Sequence, residues 1–238
     1  MQKCAPSCDS NIDPGLSLPR GLLKNLLLIC AIVVCAFQAP TSQLATILLS
    51  ASSLGNGRLP SDWTIKVNRG KPDISVCTDG DVRCVHLKSV ASSFSLERGV
   101  DVDPEQTPFL SWQWKVAQLP ERGDFRHSAT DDQAAQVLVA FADRRILSYI
   151  WDTNAPKGLA QNASSIPLVH VFAVVCQSGP AEVNRWIAEK HNIAADYERA
   201  FGRSAPHVKG VRLQINSQHT GSVAESYFGE ISFQSTAQ

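Results

Sequence analysis

From residue 62 onward, apolar and polar residues alternate through most of the chain with a period of two. That spacing puts one face of an extended strand in a core and the other toward solvent. Asp62–Val67, Asp73–Cys77, Arg83–Val90 and Phe94–Arg98 follow it. Phe109–Val116 follows it most clearly, with Leu110, Trp112, Trp114 and Val116 on one face. Gln136–Ala142 is apolar after its first residue and reads as a central strand, and Asp143-Arg144 turns the chain into Ile146–Trp151. Pro167–Cys176, residues 183–188, His207–Ile215 and Ser226–Phe233 complete the series. One helix is expected. Asn192 caps residues 193–201, Ile193, Tyr197 and Phe201 share a side, and Gly202 is the stop. Many short strands without alternating helices predict a mainly β protein: an antiparallel β-sandwich, jelly-roll-like, with one short helix near the C-terminal third.

The hydrophobic pattern changes before residue 60. Twelve apolar residues, Leu26 to Phe37, follow Arg20 and Lys24 and precede a small, polar stretch. A positive flank, a short apolar core and small residues after it are the layout of a secretory signal, and twelve residues are fewer than the roughly 20 that span a bilayer. Residues 1–39 are therefore read as a signal peptide or, alternatively, an N-terminal anchor, 40–60 as a linker, and 61–235 as a single domain. The expected location is the periplasm, with an inner-membrane-anchored form facing the periplasm as the alternative. A membrane is met only through an uncleaved N-terminal segment.

Charge narrows the classes of partner. The chain carries 22 cationic and 22 anionic side chains. Removing the first 50 residues takes away Lys3, Arg20 and Lys24 together with Asp9 and Asp13, so the remainder stays near neutral. No basic field is left for a nucleic-acid backbone. After the leader, Cys77, Cys84 and Cys176 remain. A two-residue turn at Gly80-Asp81 sets Cys77 opposite Cys84 and permits a disulfide; a pair of half-buried thiols is the alternative reading. Cys176 ends an apolar run and is expected as a buried thiol.

The catalytic motifs of common hydrolases, metalloproteases and nucleotide enzymes are missing. Asp124, Asp131 and Asp132 cluster in sequence. Neighbouring strand residues face opposite ways, so Asp131 and Asp132 cannot share a site without a bulge. Asp101/Asp103 and Asp79/Asp81 have calcium-loop spacing, yet neither continues into a full ligand set, and turn chemistry accounts for both. No cofactor is expected, with a structural calcium left open. Trp112, Trp114, Tyr149 and Trp151 read as core rings rather than a stacking platform. His219 follows a strand among groups that hydrogen-bond well, and Asn162-Ala163-Ser164 matches a glycosylation acceptor.

An ordered set of short motifs resembles a family. Trp112-Gln113-Trp114-Lys115-Val116, Asp131-Asp132-Gln133-Ala134-Ala135, Tyr149-Ile150-Trp151, Asp196-Tyr197 with Phe201-Gly202, and Thr220-Gly221 with Phe228-Gly229-Glu230-Ile231 occur in that order. The chain resembles the bacterial exported domain-of-unknown-function family numbered 3047 across about Leu59 to Phe233. The resemblance implies a proteobacterial envelope protein, is compatible with a jelly-roll-like sandwich, and supplies no catalytic residues. Two positions depart from the family pattern. Asn216-Ser217-Gln218-His219 stands where an acidic Asp-x-Asp-x-Thr style is common, and Gln136 stands where Arg is expected.

The functional expectation is a non-catalytic binding module of the envelope, for a saccharide or other glycan-like ligand such as an envelope polysaccharide. Its expected contacts are Asp124, Asp132, Trp151, Asn216, Gln218 and His219, near strand ends and loops. The alternatives are a glycan-acting hydrolase pairing Asp124 or Asp132 with Glu225 or His219, and a structural envelope-assembly protein.

Overall fold

A computed structural model describes residues 44–163 and 170–235. Among them are thirteen strands and one α-helix. In chain order they are β1 (Ala45–Leu49), β2 (Thr64–Arg69), β3 (Asp73–Asp79), β4 (Val82–Val90), β5 (Ser93–Val102), β6 (Phe109–Gln118) and β7 (Ala135–Phe141). There follow β8 (Arg145–Asp152), β9 (Ala160–Asn162), β10 (His170–Ser178), β11 (Ile187–Asn192), α1 (Ile193–Phe201), β12 (Val208–Asn216) and β13 (Val223–Gln234). The first sheet runs β11-β6-β13-β4-β3, with β1 also paired to β13, and the second runs β2-β5-β12-β7-β8-β10-β9. The chain is thus mainly β, a jelly-roll-like sandwich. Its pairing is antiparallel except for β8 and β10, which run parallel.

Period-two alternation determines which side chains lie between the sheets. Leu110, Trp112, Trp114 and Val116 of β6 are all buried, as are Val137 and Val139 of β7 and Leu147, Tyr149 and Trp151 of β8. Trp112 and Trp114 meet edge to face at 5.4 Å, and Trp114 reaches Trp151 across the core at 6.0 Å. Burying each such side chain contributes about 1.5–3 kcal/mol, and edge contacts between rings add about 0.5–1.5 kcal/mol. The rings are therefore core, not platform.

The helix forms as its punctuation dictates. The Asn192 side chain accepts a hydrogen bond from Ala195 N, Gly202 takes a φ of +67°, and its N–H closes on Glu198 O at 2.8 Å. Ile193 and Tyr197 are buried, and Tyr197 packs on Phe141 at 4.5 Å.

The strand and linker assignments change at three places. Within the stretch read as a linker, residues 44–60 belong to the fold: β1 pairs with β13, and Leu48, Leu49 and Leu54 are buried in the core. A stretch rich in small and polar residues thus supplies three leucines to the core. Residues 183–186 form turns, and the strand expected there lies at Ile187–Asn192. A short strand, β9, was not expected at all.

The β3–β4 hairpin does place Cys77 opposite Cys84, but their Sγ atoms are 3.1 Å apart and both thiols are free. A disulfide needs about 2.05 Å, so the pair is a thiol contact, not a bond. Burial, with Cys77 alongside, pushes the Cys84 thiol up to about 12. Cys176 is buried, as expected. Ser164, the third residue of the glycosylation match, and residues 1–43, which carry the leader, lie outside the described residues. Among the described residues no helix is long and apolar enough to cross a membrane.

Candidate functional site

One end of the second sheet is tied together by a buried carboxylate. Asp132 is wholly buried just before β7, and its oxygens accept from His219 N at 3.2 Å, Thr220 N at 2.7 Å and Asn216 Nδ2 at 3.3 Å. These donors lie at the end of β12 and in the turn after it, so Asp132 pins that turn to the entry of β7. Asn216 completes the join. Its Oδ1 accepts from Gln133 N at 3.0 Å and Gln136 Nε2 at 2.7 Å, and its Nδ2 also donates to Asp131 O at 2.7 Å. Gln136 and Asn216, the two positions singled out in the sequence, thus meet here as an amide bonded to an amide.

From this end a cleft runs along the outer face of the sheet. Strand register aligns its lining in rows. Ser93 stands beside Asn216, and Gln214, Gln136 and Ile150 form the next row, with the wholly buried Ser95 opposite Gln214. Glu97, Arg212, Leu138, Ser148 and Ala173 follow, then Gly99, Gly210, Ala140, Ile146 and Val171. Successive rows are two residues apart on each strand, so the four rows span roughly 20 Å. A cleft of about 390 Å³ covers the first rows, and an adjoining one of about 180 Å³ shares Leu138, Ile146 and Arg212 with it. Amides, hydroxyls and a guanidinium thus alternate with aliphatic surface.

Charge is sparse in the larger cleft, where it comes from Asp131 and Arg212, and denser in the smaller one, which Glu97, Arg98, Lys209 and Arg212 line. Burial raises the Asp131 carboxyl, against the lowering effects of the Gln133 amide, bonded at 2.8 Å, and of His219. Glu97 lines the smaller cleft, where it is paired with Arg212 at 2.7 Å. Asp131 and His219 are the two metal-capable side chains of the larger cleft among the described residues, too few to close a metal site. The arrangement suits a neutral ligand rich in hydroxyl groups.

Of the six expected contacts, Asn216, Gln218 and His219 line the cleft. Asp132 stands behind its wall, holding His219 rather than facing a ligand. Asp124 is occupied elsewhere: Arg126 bonds it through Nε at 2.8 Å and Nη2 at 2.6 Å and holds its carboxyl below the usual range. Trp151 is wholly buried and donates to Gly179 O at 3.2 Å, so it makes no ligand contact. Glu225 lies in the first sheet, bound by His86 at 2.9 Å and Lys88 at 3.0 Å, and does not pair with Asp132 or His219. The calcium-like spacings are also engaged, Asp101 with His207 and Lys209, and Asp79 with Lys115 and Trp186. Asp131, Gln136, Ser148, Arg212 and Gln214 were missed. For the four strand residues the signal was the outward half of the same alternation that marked the core; Asp131 lies in the segment before β7.

The fold and cleft define a two-sheet β-sandwich protein with an open trough across one outer face. The chain belongs to the family described as protein of unknown function (DUF3047), whose model matches residues 61–232. No curated protein matches it. Solved structures similar to it include the xyloglucanase domain of NopAA, a type three effector from Sinorhizobium fredii, in complex with cellobiose (8% identity, TM-score 0.45, 81% of this chain and 99% of that one). The family 11 carbohydrate-binding module of cellulase Lic26A-Cel5E of Clostridium thermocellum is another (8%, TM-score 0.43, 82% and 96%). The enzymatically active domain of bacteriophage CBA120 tailspike protein 4 is a third (11%, TM-score 0.38), and there the match covers 73% of this chain but 19% of that one. Likeness at this level carries nothing about function.

Proposed function

We propose that this is an exported envelope protein whose second sheet binds a saccharide or glycan-like chain in the outer trough without transforming it. The observation that supports the reading is the row pattern: Ser148, Arg212, Gln214 and the Gln136 carbonyl offer donors and acceptors between Leu138, Ile146 and Val171. A sugar presents the same mixture, hydroxyl edges and apolar C–H faces. Glycosidases need two carboxyl groups about 5–9.5 Å apart. Here Asp131 lines the larger cleft and Glu97 the smaller one, and Glu97 is ion-paired with Arg212. Export rests on the leader layout of Leu26 to Phe37, with the periplasm as the proposed compartment. A glycan array followed by calorimetry on the full chain tests binding. Saturable binding to at least one envelope polysaccharide is expected. No binding to any, with or without calcium, overturns the proposal.

One observation favours an assembly role as the second reading. Edge strand β2 is exposed along its whole length, Ile65 and Val67 included, and an open edge can pair with another chain. Concentration-dependent association abolished by Val67→Lys would select it.

A further inference from the structure

A second group of reactive side chains lies away from the trough, where β11, the edge of the first sheet, meets β10 of the second. We infer that Cys176, Glu189 and His191 form a binding site for a divalent transition metal of the zinc type. Their ligand atoms lie within 4.8 Å of one another. Cys176 Sγ is 3.4 Å from His191 Nε2, and Glu189 Oε2 is 4.0 Å from the same nitrogen. Donors around a tetrahedral zinc, at bonds of about 2.0–2.3 Å, sit roughly 3.3–3.8 Å apart. The set closes on an ion by side-chain shifts of about an ångström.

The local fold explains the convergence. Glu189 and His191 are two residues apart on β11 and share its inward face. Cys176 is the extra residue at a register shift between Val175 and Gln177 on β10, and such bulges re-aim a side chain. The strand then runs straight into α1, whose first turn brings Asp196 under the imidazole. Asp196 Oδ2 is 3.3 Å from His191 Nδ1 and also accepts from Tyr149 OH at 2.8 Å, while Arg199 pairs with its other oxygen. A carboxylate on one ring nitrogen directs the lone pair of the other toward a metal. Tyr149 and Trp112 hold the ring from its faces, at 4.4 and 5.4 Å between centroids. Glu189 is prepared in the same way. Its Oε1 takes the Gln177 amide at 2.6 Å, leaving Oε2 for the ion.

The chemistry balances. The Cys176 thiol gives its proton to solvent, and thiolate plus carboxylate neutralise a +2 ion held by a neutral imidazole. The thiol alone does not suit a nucleophile, because burial and then the neighbouring Glu189 carboxylate oppose a thiolate there. Since one sheet supplies Cys176 and the other Glu189 and His191, the ion clamps the open side of the sandwich. The fourth coordination position is left to water.

The test uses the untagged full chain, stripped with a chelator and titrated with zinc or cobalt. Four further cysteines, Cys4, Cys8, Cys30 and Cys35, precede the described residues, so side-chain controls decide the outcome. The wild type should show a cobalt spectrum with a thiolate charge-transfer band and tetrahedral visible bands. Cys176→Ser and His191→Ala should lose both, whereas Cys77→Ser should keep them. Asp196→Asn, altering a positioning residue, should weaken affinity about 10–100-fold with the band retained. Should either ligand variant fail to fold, Glu189→Gln replaces it and should lower affinity at least tenfold. A wild type without the band, or a folded Cys176→Ser, His191→Ala or Glu189→Gln that binds as tightly as wild type, overturns the site.

Discussion

Replacing Asp132 with alanine is the sharpest perturbation of the joint that supports the trough. The carboxylate is wholly buried and accepts two backbone N–H groups, His219 and Thr220, as well as the Asn216 amide. A hydrogen bond to a charged group contributes about 1.5–3 kcal/mol net, and each buried donor left without a partner costs about 1–3 kcal/mol. The three bonds share one acceptor and relax together, so the sum is not additive. The loss should be about 3–5 kcal/mol. For a domain of this size that lowers Tm by roughly 10 °C or more. Asp132→Asn keeps the shape and one acceptor oxygen, and should cost about half as much. Urea unfolding followed by tryptophan fluorescence measures both, with the loss read as a midpoint shift at constant slope. Hydrogen exchange should show the His219 and Thr220 amides opening faster in either variant. A loss below about 1 kcal/mol for Asp132→Ala would refute the argument that this carboxylate ties the turn to β7.

Other consequences are equally direct. Leu54→Ala should destabilise by about 2–4 kcal/mol in the same assay, because Leu54 is wholly buried although it lies in a stretch of linker-like composition; a linker residue would cost nothing. Gly123→Ala should cost about 1–3 kcal/mol, since a Cβ there would stand 2.5 Å from Asp132 O and 2.9 Å from Pro120 Cγ. Arg126→Ala should lower the urea midpoint only slightly at pH 7, a solvent-exposed guanidinium giving a modest pair. The Asp124 carboxyl is held low by Arg126, so this contribution is present above the ordinary carboxyl range near 3.9 and fades as pH falls through the lowered folded value. Asp131 has the opposite sign. Its carboxyl is raised chiefly by burial, so Asp131→Asn should stabilise the fold at neutral pH, and the gain should vanish below the ordinary carboxyl range.

Much of the architecture was legible because alternation and capping are local signals. The helix could be read to the residue from Asn192 and Gly202, and the strands from Arg83 to Trp151 from their inward side chains. What escaped had no local signal. The β1 leucines are identified as core only by β13 beside them, and the parallel step from β8 to β10 depends on long-range pairing. The trough was half legible. Asn216, Gln218 and His219 stood out as polar groups after a strand, whereas Trp151, read from its strand face as a core ring, is buried as that reading has it and does not line the cleft. Gln136 and Gln214 become neighbours only through the register of β7 and β12. Asp131 was set aside in favour of Asp132, since alternation shows that the two diverge without showing which one meets solvent.

The central claim is that the outer face of the second sheet is the ligand surface. Calorimetric titration of a binding polysaccharide into wild type, into Arg212→Ala with Gln214→Ala, and into Tyr227→Ala on the first sheet tests it most directly. The double variant should lose at least tenfold in affinity with its fold intact, while Tyr227→Ala binds as wild type does. Undiminished binding by the double variant, or loss confined to Tyr227→Ala, would contradict the claim.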